Sequence, residues 1–180
     1  MNLANKISIL RLLLVPGIVA ALLYYHPARD WLRFVAVGLF IVGMLSDALD
    51  GYLARVHRQQ SQLGTLLDPI ADKFLILATL ISCSLIRGLP ESLRLPAWFN
   101  LVVISRDVLL VAGAIVLFLV RGRWSVQPSR LGKTTTFFQM MVVPIVLLEL
   151  PGKLPLLIVA GVLTALSALT YVRAGIRALG

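Results

Sequence analysis

A chain of 180 residues that is 59% hydrophobic and only 14% charged, with a mean hydropathy of +0.92, is far more apolar than a water-soluble domain, in which about 25% of residues are charged. Its net charge of +9 would suit nucleic acid, but the basic residues punctuate apolar stretches instead of forming one run or one polar face. That pattern argues against nucleic-acid binding and for topology signals and contacts with anionic membrane lipids. The single cysteine, Cys83, excludes an intramolecular disulfide and leaves the redox compartment open.

A helix crossing the hydrocarbon core needs roughly 20 apolar residues. Hydropathy and Pro/Gly punctuation predict helices near Ile7 to Tyr25, Trp31 to Arg55, Leu67 to Ile86, Trp98 to Val120, Thr134 to Leu148 and Leu154 to Val172. Lys6 and Arg11 ahead of the first apolar stretch imitate a secretory signal, yet the rest of the chain is equally membrane-like, so a retained first helix is expected. The breaks fall at His26 to Asp30, His57 to Gln62, Gly88 to Pro96, Arg121 to Arg130 and Glu149 to Lys153. The expected fold is all-α: a polytopic membrane protein, a six-transmembrane-helix bundle forming one domain over residues 1–180.

An even number of spans puts both termini on one side. Lys6, Arg11, Arg55, Arg58, Arg121, Arg123, Arg130, Lys133, Arg173 and Arg177 would collect on the amino-terminal face, against Arg29, Arg33, Arg87, Arg94 and Lys153 opposite. The positive-inside bias therefore predicts cytoplasmic termini.

Of the eight acidic residues, Asp47, Asp50, Asp68 and Asp72 crowd into the segment from Ser46 to Phe74, at the cytoplasmic ends of the second and third helices. Carboxylates at a membrane helix end are costly unless paired, and four together require cations. Asp47 and Asp50 are three apart and Asp68 and Asp72 four apart, so each pair occupies one face of its helix. Hard oxygen donors suit two divalent ions, Mg²⁺ or Mn²⁺, that share their shell with phosphate. Gly51, Ala54 and Gly64 remove bulk where a nucleotide must approach the backbone, and Arg55 supplies a planar donor fork for a diphosphate.

The run Asp47-x-x-Asp50-Gly51-x-x-Ala54-Arg55, followed after eight residues by Gly64-x-x-x-Asp68-x-x-x-Asp72, resembles the complete signature of the CDP-alcohol phosphotransferases. The resemblance implies that the four aspartates hold two divalent ions and that Asp72 also takes the acceptor's hydroxyl proton. It further implies that Gly51, Ala54, Arg55 and Gly64 contact the CDP moiety. CDP-diacylglycerol would be the donor, an alcohol the acceptor and CMP the leaving group, in a homodimer of a prokaryotic inner membrane with its active site facing the cytoplasm.

The stretch Asn2 to Asn5, with Ser8, Arg11 and Pro16, the run Asp68 to Lys73, and the segment from Gly132 through Gln139 resemble phosphatidylglycerophosphate synthases, which use glycerol 3-phosphate. Ile104 to Val108, with Arg106-Asp107, looks more like the cardiolipin synthases of the same superfamily, whose acceptor is phosphatidylglycerol. A phosphomonoester acceptor needs cations, for which Arg106, Arg121, Arg130 and Lys133 are candidates.

Each feature also has a plainer reading. Asp68 before Pro69 could be a helix N-cap. Arg121, Arg123 and Arg130 could be ordinary lipid-facing charges, and Arg106 and Asp107, about 100° apart on a helix, would find different partners. His26 and His57 read as surface residues, and Gly113 and Gly161 as helix-packing sites. Carboxylates inside a bundle could also line the pathway of a divalent-cation transporter, but their clustering at one face leaves no ladder across the other half.

Overall fold

The computed structural model describes the backbone of residues 3–57, 62–121 and 129–179, and their side chains except at 3–8, 47–57, 62–72, 117, 118, 121 and 177–179. The described residues form helices α1 (Leu3–Leu23), α2 (Trp31–His57), α3 (Gln62–Leu85), α4 (Ala97–Arg121), α5 (Arg130–Leu147) and α6 (Lys153–Leu179), with 3₁₀ turns at Pro27–Arg29 and Glu91–Leu93. Each predicted helix is present, but the amino-terminal ends of α1, α3, α4, α5 and α6 lie further out than predicted, while α1, α3 and α5 stop at Leu23, Leu85 and Leu147, one or two residues short of the predicted Tyr25, Ile86 and Leu148. The helix α3 starts at Gln62, so it runs through Asp68 and Pro69. Asp68 is therefore not an N-cap, and Pro69 removes an amide from within the helix. Likewise α5 starts at Arg130, a turn before Thr134, and α6 continues past Val172 to Leu179, because basic residues and glycine lower the local hydropathy without necessarily ending a helix.

Two stretches among the described residues, Glu91–Val116 and Lys153–Ile176, are long and apolar enough to cross a membrane, and Ile9–Leu23, Trp31–Ser46 and Lys73–Leu85 are shorter apolar helical stretches. The outward faces carry Leu101 at 68% exposure, Leu119 at 75% and Ile176 at 66%, whereas Arg106, Asp107, Gln139, Thr164 and Ser167 are buried. Large apolar side chains on the outward faces, with polar side chains buried within an apolar interior, suit a protein whose solvent is lipid.

The chain divides into two compact units, one of Met1–Leu95 with Val143–Leu150, the other of Pro96–Val142 with Pro151–Gly180. In the first, α1 packs on both α2 and α3 around Ile18, Leu22, Phe40 and Leu80, all at most 1% exposed. The connection after α3 is tied back to it: Leu95 N–H donates to Cys83 O at 3.1 Å, and Ser84 Oγ donates to Leu95 O at 2.9 Å. At the end of α5, Glu149 N–H donates to Val146 O and Leu150 N–H to Ile145 O, the paired bonds of a Schellman stop. Its left-handed position is held by Glu149, φ 53°, where glycine is usual. The Glu149 carboxylate accepts from Arg33 Nη1, and Arg33 also pairs with Asp30 at 2.9 Å.

In the second unit, α4 packs on α6. A Cβ at Gly161 would stand 2.9 Å from Trp98 Cζ3, so glycine there admits the indole, as expected of a packing site. At Gly113 no described atom lies within 4 Å of such a Cβ, so the packing expected there is not found among the described residues. A buried polar seam joins α5 to α6: Thr135 Oγ1 donates to Leu163 O at 3.2 Å and Gln139 Nε2 to Thr164 Oγ1 at 3.0 Å. Such bonds hold helices together where lipid supplies no hydrophobic drive.

Candidate active site

The register of the first unit brings the aspartate-bearing segments to one level. A Cβ at Gly17 would lie 3.2 Å from Leu39 Cδ1, and one at Gly43 would lie 3.6 Å from Leu14 Cδ1 and 2.8 Å from Leu75 Cδ2. Moving up α1 from Leu14 to Gly17 thus moves back along α2 from Gly43 to Leu39, so these helices are antiparallel. The helices α2 and α3 are in contact and joined by only the residues 58–61, which makes them antiparallel neighbours too.

From the three-helix contact at Leu14, Gly43 and Leu75, about one turn toward the same end reaches Arg11 on α1, Asp47 on α2 and Asp72 on α3. One turn further lie Asp50 on α2 and Asp68 on α3. The side chains of Asp47, Asp50, Gly51, Ala54, Arg55, Gly64, Asp68 and Asp72 lie outside the described residues, and their placement here is that of the backbone. An all-oxygen set of four carboxylates at two adjoining levels fits hard divalent cations such as Mg²⁺ or Mn²⁺. Among the residues whose side chains are described, no cluster of metal-ligating groups occurs.

Arg11 is 0% exposed. Its grouping with loop cations by sequence is therefore corrected: it is a charge inside the helix cluster, one turn from the contact that levels Asp47 with Asp72. Sequence offered one signal, a cation within an otherwise apolar helix, where ionisable residues are functional by default.

The second unit holds another polar centre. Arg106 is 4% and Asp107 9% exposed, and Arg106 Nη1 donates to Asp107 Oδ1 at 2.7 Å. The expectation that these neighbours find different partners is thus wrong, because the long arginine stem swings its guanidinium back across the 100° between them. Arg106 Nη2 also donates to Ser167 Oγ on α6 at 3.3 Å, and its buried Nε finds no acceptor among the described residues. Beside it begins α5, where Ser129 Oγ accepts from Gly132 N–H at 3.0 Å, an N-cap. Arg130 and Lys133, both exposed, occupy the first turn. Arg121 ends α4 with its side chain undescribed, and Arg123 lies outside the described residues.

The model of the CDP-alcohol phosphatidyltransferases matches residues 1–172. The chain belongs to that family. Among relatives of this CDP-alcohol phosphatidyltransferase, one from Mycobacterium tuberculosis, named as a probable phosphatidylglycerophosphate synthase, is 34% identical over 99% of this chain and 84% of its own length. A CDP-diacylglycerol–glycerol-3-phosphate 3-phosphatidyltransferase of Rickettsia bellii is 31% identical over 96% of this chain and 94% of its own. A relative from Mycobacterium bovis named as a putative cardiolipin synthase is 35% identical over 80% of this chain and 63% of its own. As a family member the protein is a transferase of phospholipid biosynthesis, and its apolar helices make it a membrane protein.

Proposed function

We propose that the protein transfers the phosphatidyl group of CDP-diacylglycerol to glycerol 3-phosphate, releasing CMP and forming phosphatidylglycerophosphate. The observation that carries this reading is the helix register that levels the two aspartate pairs of the family signature on α2 and α3. Relatives matched over most of their length and named for glycerol 3-phosphate or its product support the acceptor.

Asp47, Asp50, Asp68 and Asp72 would hold two divalent ions, Mg²⁺ or Mn²⁺, which supply the charge that neutralises the diphosphate and the departing CMP. Asp72 takes the proton of the acceptor hydroxyl as its oxygen forms a bond to the phosphatidyl phosphorus and the pyrophosphate P–O bond breaks toward CMP. Gly51, Ala54 and Gly64 leave room for the CDP moiety and Arg55 bonds its phosphates. Arg106, Arg121, Arg130 and Lys133 receive the acceptor's phosphate. Arg130 and Lys133 at the positive end of the α5 dipole repel it locally, a cost that an anion would offset.

Two stretches among the described residues are long and apolar enough to cross a bilayer, three more are shorter apolar helices, and each of the six helices has at least 18 residues. This supports a six-span bundle acting as one catalytic domain in a prokaryotic inner membrane. The positive-inside bias supports termini and active site in the cytoplasm. Surrounding lipids and a second copy in a homodimer are its expected partners. Phosphatidylglycerol as acceptor is the second reading, favoured by Arg106-Asp107 and by the relative named as a putative cardiolipin synthase.

Purified protein in detergent, given CDP-diacylglycerol and Mg²⁺ or Mn²⁺, is assayed for CMP release with glycerol 3-phosphate, phosphatidylglycerol, inositol phosphate and serine separately. Metal-dependent release with glycerol 3-phosphate supports the proposal, and release with phosphatidylglycerol instead transfers it to the second reading. Folded protein inactive with every acceptor would sink it.

A further inference from the structure

At the start of α5 stands a hydroxyl that none of the roles above uses. Tyr171, from α6, has its ring centroid 5.8 Å from the Arg106 guanidinium carbon, within cation–π range. Its Oη accepts from Ser129 N–H at 3.4 Å. Gly132 sits among these groups: a Cβ there would meet Ser129 Oγ at 3.1 Å and both Arg106 Nη2 and Tyr171 Oη at 3.2 Å. The first turn of α5, the buried cation of α4 and the phenol of α6 therefore converge on one glycine, packed too closely to admit a methyl group without movement.

We infer that Tyr171 is a positioning residue for the acceptor, holding the first turn of α5 against Arg106 through its Ser129 bond and its ring. The inference rests on the reading that Arg106, Arg130 and Lys133 receive the acceptor's phosphate. Two of those cations, Arg130 and Lys133, are exposed side chains rooted in that turn. Fixing that turn before the acceptor arrives reduces the ordering that binding must accomplish. Gly132 is required because the three groups occupy the space a side chain would need.

Tyr171→Phe keeps the ring against Arg106 and removes only the hydroxyl. The acceptor KM should rise about three- to tenfold, the range for loss of one neutral hydrogen bond, by more than kcat falls, with the CDP-diacylglycerol KM unchanged. Gly132→Ala should raise the acceptor KM as well, and adding Tyr171→Phe, which vacates space beside the new methyl group, should recover part of that loss. Amide hydrogen exchange at residues 129–133 reads the tether without turnover and should quicken in Tyr171→Phe alone. Unchanged exchange overturns the inference, as does an unchanged acceptor KM, or an equal rise in both KM values, in an enzyme that uses glycerol 3-phosphate. Faster exchange in a protein whose wild type ignores glycerol 3-phosphate overturns the acceptor reading itself, and the positioning role with it.

Discussion

Asp72 is the residue on which the proposed chemistry turns. Asp72→Asn keeps the size and an oxygen ligand but removes the basic group, so CMP release should fall by at least about 10²-fold, the lower range for general base catalysis. CDP-diacylglycerol binding, read by equilibrium titration, should largely persist. Wild-type turnover in that variant would remove Asp72 from the proton transfer. Arg11 behaves differently because it is buried at the level of two carboxylates. Arg11→Met should lower stability on the scale of a broken buried pair, about 3–5 kcal/mol, whereas Arg130→Met at an exposed position should cost under about 0.5 kcal/mol. Thermal unfolding in detergent compares the two, and equal small effects would mean that Arg11 balances no charge. The four aspartates were legible in sequence because they are a local pattern. The burial of Arg11 and the pairing of Arg106 with Asp107 were not, since a side chain's partner depends on which helix lies opposite and how far its stem can swing.

At the scale of elements, Gly43 sets how closely α2 approaches α3. Gly43→Ala brings a methyl group against the mobile end of Leu75 and should cost about 1 kcal/mol, whereas Gly43→Leu must part the helices and should exceed the usual range of about 1–3 kcal/mol for overpacking. Because Asp47 and Asp72 lie a turn beyond that contact, Gly43→Leu should also weaken Mn²⁺ binding, measured by electron paramagnetic resonance. Retention of wild-type Mn²⁺ affinity by a folded variant would argue against the proposed levelling. The stop of α5 gives a second comparison: Glu149→Ala loses the partly exposed pair with Arg33, worth about 0–1 kcal/mol, and keeps the left-handed strain. Glu149→Gly loses the same pair but relieves that strain, so it should unfold at a higher temperature than Glu149→Ala. Helix existence and order were legible from hydropathy and Pro/Gly punctuation. The starts of α3 and α5 were not, because Gly64, Thr65, Arg130, Gly132 and Lys133 interrupt the apolar runs that hydropathy picks up at Leu67 and Thr134.

For the whole molecule, the proposed topology predicts opposite accessibilities at its two faces. In a Cys83→Ser background expressed in a bacterial inner membrane, a cysteine placed by Glu91→Cys should react with an impermeant maleimide added outside intact cells. One placed by Gly180→Cys should react only after the membrane is opened. The reverse pattern would invert the topology, and labelling of both from outside would break the even number of spans. Composition, the sign asymmetry of the loops and the spaced aspartate signature by themselves determined an all-helical membrane protein of the CDP-alcohol phosphatidyltransferases, because solvent class and metal-ligand spacing are written in short-range order. Tertiary structure alone decided that Leu14, Gly43 and Leu75 meet to level three helices, that Arg11 is interior, and that Tyr171 stands beside Arg106 at the start of α5. Those contacts join residues 29 to 65 positions apart, and only helix packing, which depends on the shapes of both partners at once, brings such residues together.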